Sequence, residues 1–204
     1  MSADRLLDLL SLLALACVGI TGFGRAVSLA RRGVWVLPID RERTLPEGLA
    51  DLAFALGLLI WVYDAITTAV APEWRLVSGP PGELEVPWPA IRWLGLSAAA
   101  AGVVLYVLAM RDLGASWRFT IDRERSGELV TTGVFAFTRN PIYLALVLLA
   151  LGVSLALGNV TLILLACAAP PYFHHLILRE ERFLAASSGE SYASYRRSVP
   201  RWLR

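Results

Sequence analysis

The chain has 204 residues, 56% of them hydrophobic and 18% charged, with a formal net charge of +2. Soluble domains usually carry about a quarter charged residues, so the apolar excess argues for lipid rather than water as the main solvent. So small a charge gives no reason to expect a nucleic-acid partner, and the length leaves room for one domain.

The first apolar run, about Leu6–Gly24, is longer than the core of a secretion signal, and Asp4 and Asp8 spoil a basic leader. It is predicted to be a retained transmembrane helix. Leu49–Ala71 and Ile91–Met110 are also long enough to span, since a crossing takes about 20 apolar residues. A fourth region, Ile142–Ala169, is too long for one span and short for two, and Gly158-Asn159 breaks it near the middle with a turn signal. Pro170-Pro171 bends the chain before a last helix, roughly Tyr172–Ser187. The expectation is an all-α membrane protein of about five transmembrane helices, the last two forming a hairpin.

Arginine placement predicts the orientation. Arg31, Arg32, Arg41 and Arg43 fill the first connection, while Arg75 stands alone in the second. The third holds Arg111, Arg118, Arg123, Arg125 and Arg139; the Gly158-Asn159 turn has none, and the C-terminal segment is again rich in Arg. The N-terminus is therefore expected outside, with the third loop and the C-terminal segment sharing the cytoplasm. All nineteen basic residues are Arg, which suggests a bacterial origin and so an inner membrane. Cys17 and Cys167 lie inside apolar runs and read as packing residues; no metal site is expected.

Two segments carry candidate chemistry. In the first, Asn140-Pro141 is a strong helix start, with Asn as N-cap and Pro at the first helical position. Its free amides, with Arg139, form an anion site at the membrane boundary. Tyr143 follows one turn later, and Phe135 and Phe137 precede. The same residues also suit a simple interfacial anchor. The second segment holds Glu180-Glu181 between Arg179 and Arg182, then Gly189-Glu-Ser-Tyr192-Ala-Ser-Tyr195 and Val199-Pro200-Arg201-Trp202. A ligand bearing both a carboxylate and an ammonium needs one partner of each sign, which the two segments together offer.

About Thr120–Trp202 resembles the isoprenylcysteine carboxyl methyltransferase and phospholipid methyltransferase family of membrane enzymes. The family pattern is Leu-Val-x-x-Gly-x-Tyr-x-x-x-Arg-His-Pro-x-Tyr, then Glu-Glu, then Gly-Glu-x-Tyr-x-x-Tyr-x-x-x-Val-Pro. The resemblance implies methyl transfer from S-adenosylmethionine to a lipid-like or small amphiphilic acceptor. Hydropathy gives the single domain three membrane helices over 1–112, and the resemblance implies a cofactor-binding half over 113–204, whose pocket the third loop and C-terminal segment form. Gly127–Val130 would line the cofactor, with Leu129 and Val130 the clearer matches, and Phe135 would supply an aromatic wall where the family has Tyr. Arg139, Asn140 and Tyr143 fall on the Arg-His-Pro-x-Tyr positions, Asn140 replacing His. Glu180 would pair with the cofactor's ammonium, and Thr120 matches a polar cofactor contact by spacing. Where the carboxyl methyltransferases carry an Arg toward the substrate carboxylate, this chain has Leu176.

No residue is singled out as the catalytic base. Asp64, a carboxylate at membrane depth, and His175, beside His174, are candidates. Asp64 could equally lie near the helix end and snorkel, or pair with Arg25 or Arg92. The nearest alternative is a membrane reductase using NADPH, whose phosphates Arg118, Arg123 and Arg125 could hold; a non-catalytic membrane scaffold is the other. The small-residue run Ser97–Gly102 suits a close helix contact, within the chain or between chains.

Overall fold

A computed structural model of the chain describes residues 2–31, 44–77, 86, 88–114 and 129–203. Its regular elements are all helical: α1 (Ala3–Ala30), α2 (Leu45–Val70), α3 (Pro89–Leu113), α4 (Pro141–Ala156), α5 (Val160–Ala166) and α6 (Ala169–Ser198). Local sequence sets the starts. Ser2 caps α1 by accepting from the Arg5 amide at 3.2 Å, and Thr44 with Glu47 forms a capping box at α2. Prolines open α3, α4 and α6, where a missing N–H costs nothing.

Helices α1, α2 and α3 and the nearly continuous run Val160–Ser198 are long and apolar enough to cross a bilayer; α4 is apolar but shorter. The chain is a multi-pass integral membrane protein with five helices when α5 and α6 are taken together, four of them candidate membrane spans. The turn expected at Gly158-Asn159 separates α4 from α5. Gly158 has φ +70°, and the Asn159 side chain accepts from the Leu162 amide at 3.1 Å, capping α5. The last helix runs to Ser198 rather than Ser187, but it kinks near the predicted end, at Gly189.

The pattern of burial is that of a protein in lipid. Leu13, Ile20, Phe23, Leu49, Leu59 and Val104 point outward, while Ala65, Ala99, Ala145 and Ala156 are buried. With lipid tails as apolar as Leu, helix association rests on close van der Waals packing by small residues. The seam between α3 and α4 shows this most clearly. A Cβ on Gly95 would stand 2.6 Å from the Ala156 amide nitrogen, and one on Gly102 would stand 2.8 Å from the Ala145 carbonyl oxygen. The Ser97–Gly102 run therefore works within the chain. Trp61 reaches across from α2 to donate to Ser154 Oγ at 3.0 Å, satisfying both groups in the core.

Polar side chains gather at the two ends. At one end Arg92 meets Asp4 at 2.6 Å and Asp8 at 3.4 Å and donates to the Ala156 carbonyl; Arg5 donates to the Ala69 carbonyl. At the other end Arg25 donates to the Gly114 carbonyl and Asp112 accepts from the Val134 amide. The start of α4 lies at this second end.

Candidate functional site

The segment before α4 is clasped by the last residues described. The Arg139 amide donates to the Pro200 carbonyl at 3.0 Å. The Arg201 carbonyl accepts both Thr138 Oγ1 at 3.1 Å and Asn140 Nδ2 at 3.0 Å. Tyr195 Oη donates to the Phe135 carbonyl at 2.7 Å. Side-chain charges complete the clasp. Glu181, on α6, accepts Arg201 Nε at 3.0 Å and Nη2 at 2.7 Å, a two-point contact, and meets Arg139 Nη2 at 2.9 Å. Arg139 also reaches the Arg196 carbonyl at 3.4 Å, and its Nε is buried with no partner among the described residues. The hydrogen bonds to Glu181 raise the pKa of the Arg201 guanidinium, so its charge is fixed.

The neighbouring acid is placed differently. Glu180 lies beside the hydroxyl of Tyr143, from the first turn of α4, and no ion pair among the described residues includes it. A row of rings leads away from this pair. Tyr143 lies 5.4 Å from Phe173, Phe173 lies 5.4 Å from Phe54 of α2, and Phe54 stacks on Tyr172 at 3.8 Å and 11°. Tyr172 donates to Asp51 at 2.8 Å, and Arg179 stands 3.9 Å from Glu47. Helices α2, α4 and α6 thus share an aromatic cluster beside Glu180.

The structure brings Arg139, Asn140, Phe135, Tyr143 and Glu180 together with the C-terminal segment. Leu129 packs on Tyr192, Tyr195 and Val199, and Val130 follows it, half-buried. Thr120, Arg118, Arg123 and Arg125 lie outside the described residues, as does most of the third loop. Asn140 occupies the N-cap position but its side chain makes no capping bond, because the amide is turned to Arg201. His174 and His175 are exposed on α6.

Asp64 lies near the end of α2, one of the placements expected for it. Its carboxylate accepts the amides of Leu76 at 2.7 Å and Val77 at 3.0 Å, at the end where Arg5 reaches Ala69. It pairs with neither Arg25 nor Arg92; Arg92 is held by Asp4 and Asp8. A carboxylate near a helix end is well placed to gather the backbone of the following loop. Asp64→Ala should therefore destabilise the protein by about 2 kcal/mol, from two unmet amides. Thermal unfolding would show this, while affinity for S-adenosylhomocysteine should stay at the unsubstituted value.

Sequence reasoning missed Glu181 as the anchor of the clasp and Arg201 as its partner. The Glu-Glu pair and the Val-Pro-Arg ending were visible, but nothing in their spacing says which acid faces which cation. The aromatic cluster of Phe54, Tyr172 and Phe173 was missed as well, since it joins α2 to α6 across more than a hundred residues of chain.

Residues 90–191, half of the chain, match the family described as phospholipid methyltransferase. The protein-S-isoprenylcysteine O-methyltransferase of Schizosaccharomyces pombe is 34% identical over 102 residues, covering 48% of this chain and 43% of the relative. That of Xenopus laevis is 28% identical over 154 residues, covering 74% of this chain and 50% of the relative. That of Rattus norvegicus is 30% identical over 122 residues, covering 55% and 43%. The chain spans about half the length or less of the curated relatives it matches.

The fold and the matches define a membrane protein of the methyltransferase class. The chain belongs to the phospholipid methyltransferase and isoprenylcysteine carboxyl methyltransferase family, whose members use S-adenosylmethionine.

Proposed function

We propose that the chain transfers a methyl group from S-adenosylmethionine to a lipid-like or small amphiphilic acceptor, at the membrane face where the third loop and the C-terminal segment meet. We take that face to be cytoplasmic, as the arginine distribution suggests. The observation that carries the reading is the unequal use of the adjacent acids. Two guanidinium groups neutralise Glu181, whereas Glu180 lies beside the Tyr143 hydroxyl and enters no ion pair among the described residues.

The residues fit the cofactor's amino-acid end. Glu180 offers the acid that an ammonium needs, and the buried Arg139 Nε is a donor still lacking an acceptor. Asn140 leaves the first-turn amides of α4 uncapped by its side chain, which supports binding of a carboxylate there. Leu129, Val130 and Phe135 supply the apolar and aromatic side of the pocket, and Thr120 remains a further proposed contact. When bound, the cofactor supplies a methyl group activated by positively charged sulfur. The chain's own part is to hold the reactants in line and keep water out.

The row of rings from Tyr143 to Phe54 supports an acceptor that enters from the bilayer between α2 and α6. The relatives' reaction, on isoprenylcysteine, supports a lipid-linked acceptor. Leu176 supplies no cation for an acceptor carboxylate. The positions of Asp64 and His175 do not favour either as a base, and a thiolate or carboxylate acceptor needs none.

Calorimetric titration of detergent-purified protein with S-adenosylhomocysteine and with NADPH tests the reading. Binding of NADPH alone would sink it. Glu180→Gln should weaken S-adenosylhomocysteine about tenfold or more, by removing the charge opposite the ammonium. Undiminished affinity would remove Glu180 from the site.

A further inference from the structure

Tyr192 is 2% exposed, and its hydroxyl is buried with no hydrogen-bond partner among the described residues. Buried hydroxyls are nearly always paired, because leaving one unmet destabilises the fold. The contrast with Tyr195, one turn on, is direct. The two rings meet edge to face at 6.3 Å, yet Tyr195 Oη is satisfied by the Phe135 carbonyl and Tyr192 Oη is not.

The surroundings say what would satisfy it. The Tyr192 hydroxyl lies within electrostatic reach of Glu181, Arg139, Glu180 and Arg196. Its ring packs with Tyr195, Val199, Leu129 and Leu184. Arg139 Nε, the other unmet donor, belongs to a guanidinium resting on the Arg196 carbonyl, one turn beyond Tyr192 on α6. An Arg nitrogen can only donate. Two buried donors left unmet in one polar cluster call for an acceptor with negative charge, and a carboxylate has an oxygen for each. Glu181 is already occupied by Arg139 and Arg201 through both its oxygens.

We propose that Tyr192 is a further cofactor-binding residue, whose hydroxyl donates, with Arg139 Nε, to the carboxylate of the cofactor's amino-acid end. This rests on the reading of the site given above. It adds a neutral donor on α6 to the charged donor that Arg139 supplies.

The test is Tyr192→Phe in the full-length chain, which removes one oxygen and keeps the ring. Two probes are titrated by calorimetry: S-adenosylhomocysteine, and 5′-methylthioadenosine, which lacks the amino-acid end. The expected result is about a tenfold weaker affinity for S-adenosylhomocysteine, the loss of one hydrogen bond to a charged group. Affinity for methylthioadenosine should not change, and the unfolding midpoint without ligand should not fall. Unchanged affinity for S-adenosylhomocysteine would overturn the proposal. Equal weakening of both probes, or a lowered midpoint, would also overturn it, by showing a structural role. If the unsubstituted protein binds neither probe, the cofactor reading itself fails.

Discussion

Gly152→Leu is expected to destabilise the protein by about 3 kcal/mol, the upper part of the range for overpacked cores. Gly152 sits on α4 where α3 passes closest. A Cβ there would meet the Ala99 amide nitrogen, the Ala99 Cα at 2.8 Å and the Gly95 carbonyl oxygen at 2.7 Å. These are backbone atoms, so no rotamer change can relieve the clash; α3 and α4 must separate. Separation costs van der Waals contact along the whole seam, the main force holding helices together in lipid. Even Gly152→Ala, which should gain up to about 1 kcal/mol of helix propensity, is expected to lose more than that to sterics. Gly57 is the control. It lies inside α2 with open space around the position of a Cβ, and Gly57→Ala should be neutral or stabilising. Thermal unfolding of the three variants in one detergent separates the effects. Equal midpoints for Gly152→Leu and Gly57→Ala would show that the seam is not as tight as described.

Glu181→Ala should cost about 3 kcal/mol by a different route. The Arg139 side chain is 8% exposed and depends on Glu181 for its charge partner. Removing one member of a buried ion pair strands the other, at roughly 3–5 kcal/mol. The low end applies because Arg201, 33% exposed at the rim, can turn to water. The double variant Glu181→Ala, Arg201→Ala should be less destabilised than the two single losses added together, since both act through one contact. A strictly additive pair in chemical or thermal unfolding would deny that Arg201 and Glu181 interact.

Much of this architecture could be read from the chain. Apolar length found the membrane helices, and Gly158-Asn159 and Pro170-Pro171 found the breaks, because Gly and Pro act locally on the backbone. Arg139-Asn140-Pro141 marked the start of α4 for the same reason. What was not legible depends on contacts across the chain. Glu180 and Glu181 are neighbours with the same chemistry, and only the 100° turn between successive helical residues sends one to Tyr143 and the other to two arginines. The partners of Asp64 could not be read from its depth in α2; the amides of Leu76 and Val77 belong to a loop with no periodicity. The run Ser97–Gly102 announced a close approach without saying to what, and α4 supplied the answer through Gly152.

The two acids and two arginines at the start of α4 have a consequence for how a ligand arrives. Arg139, Arg201, Glu180 and Glu181 carry two charges of each sign, so these four groups form a multipole rather than a net charge, with Arg196 a further cation beside them. Its field falls off faster with distance than that of an ion, and at physiological ionic strength little survives beyond about 8 Å. From these four groups a zwitterion feels almost no pull until it is inside, where each of its ends meets the opposite sign. The cluster would therefore discriminate by the spacing of charges within a molecule, and would treat a simple anion or a simple cation of the same size as a poor fit.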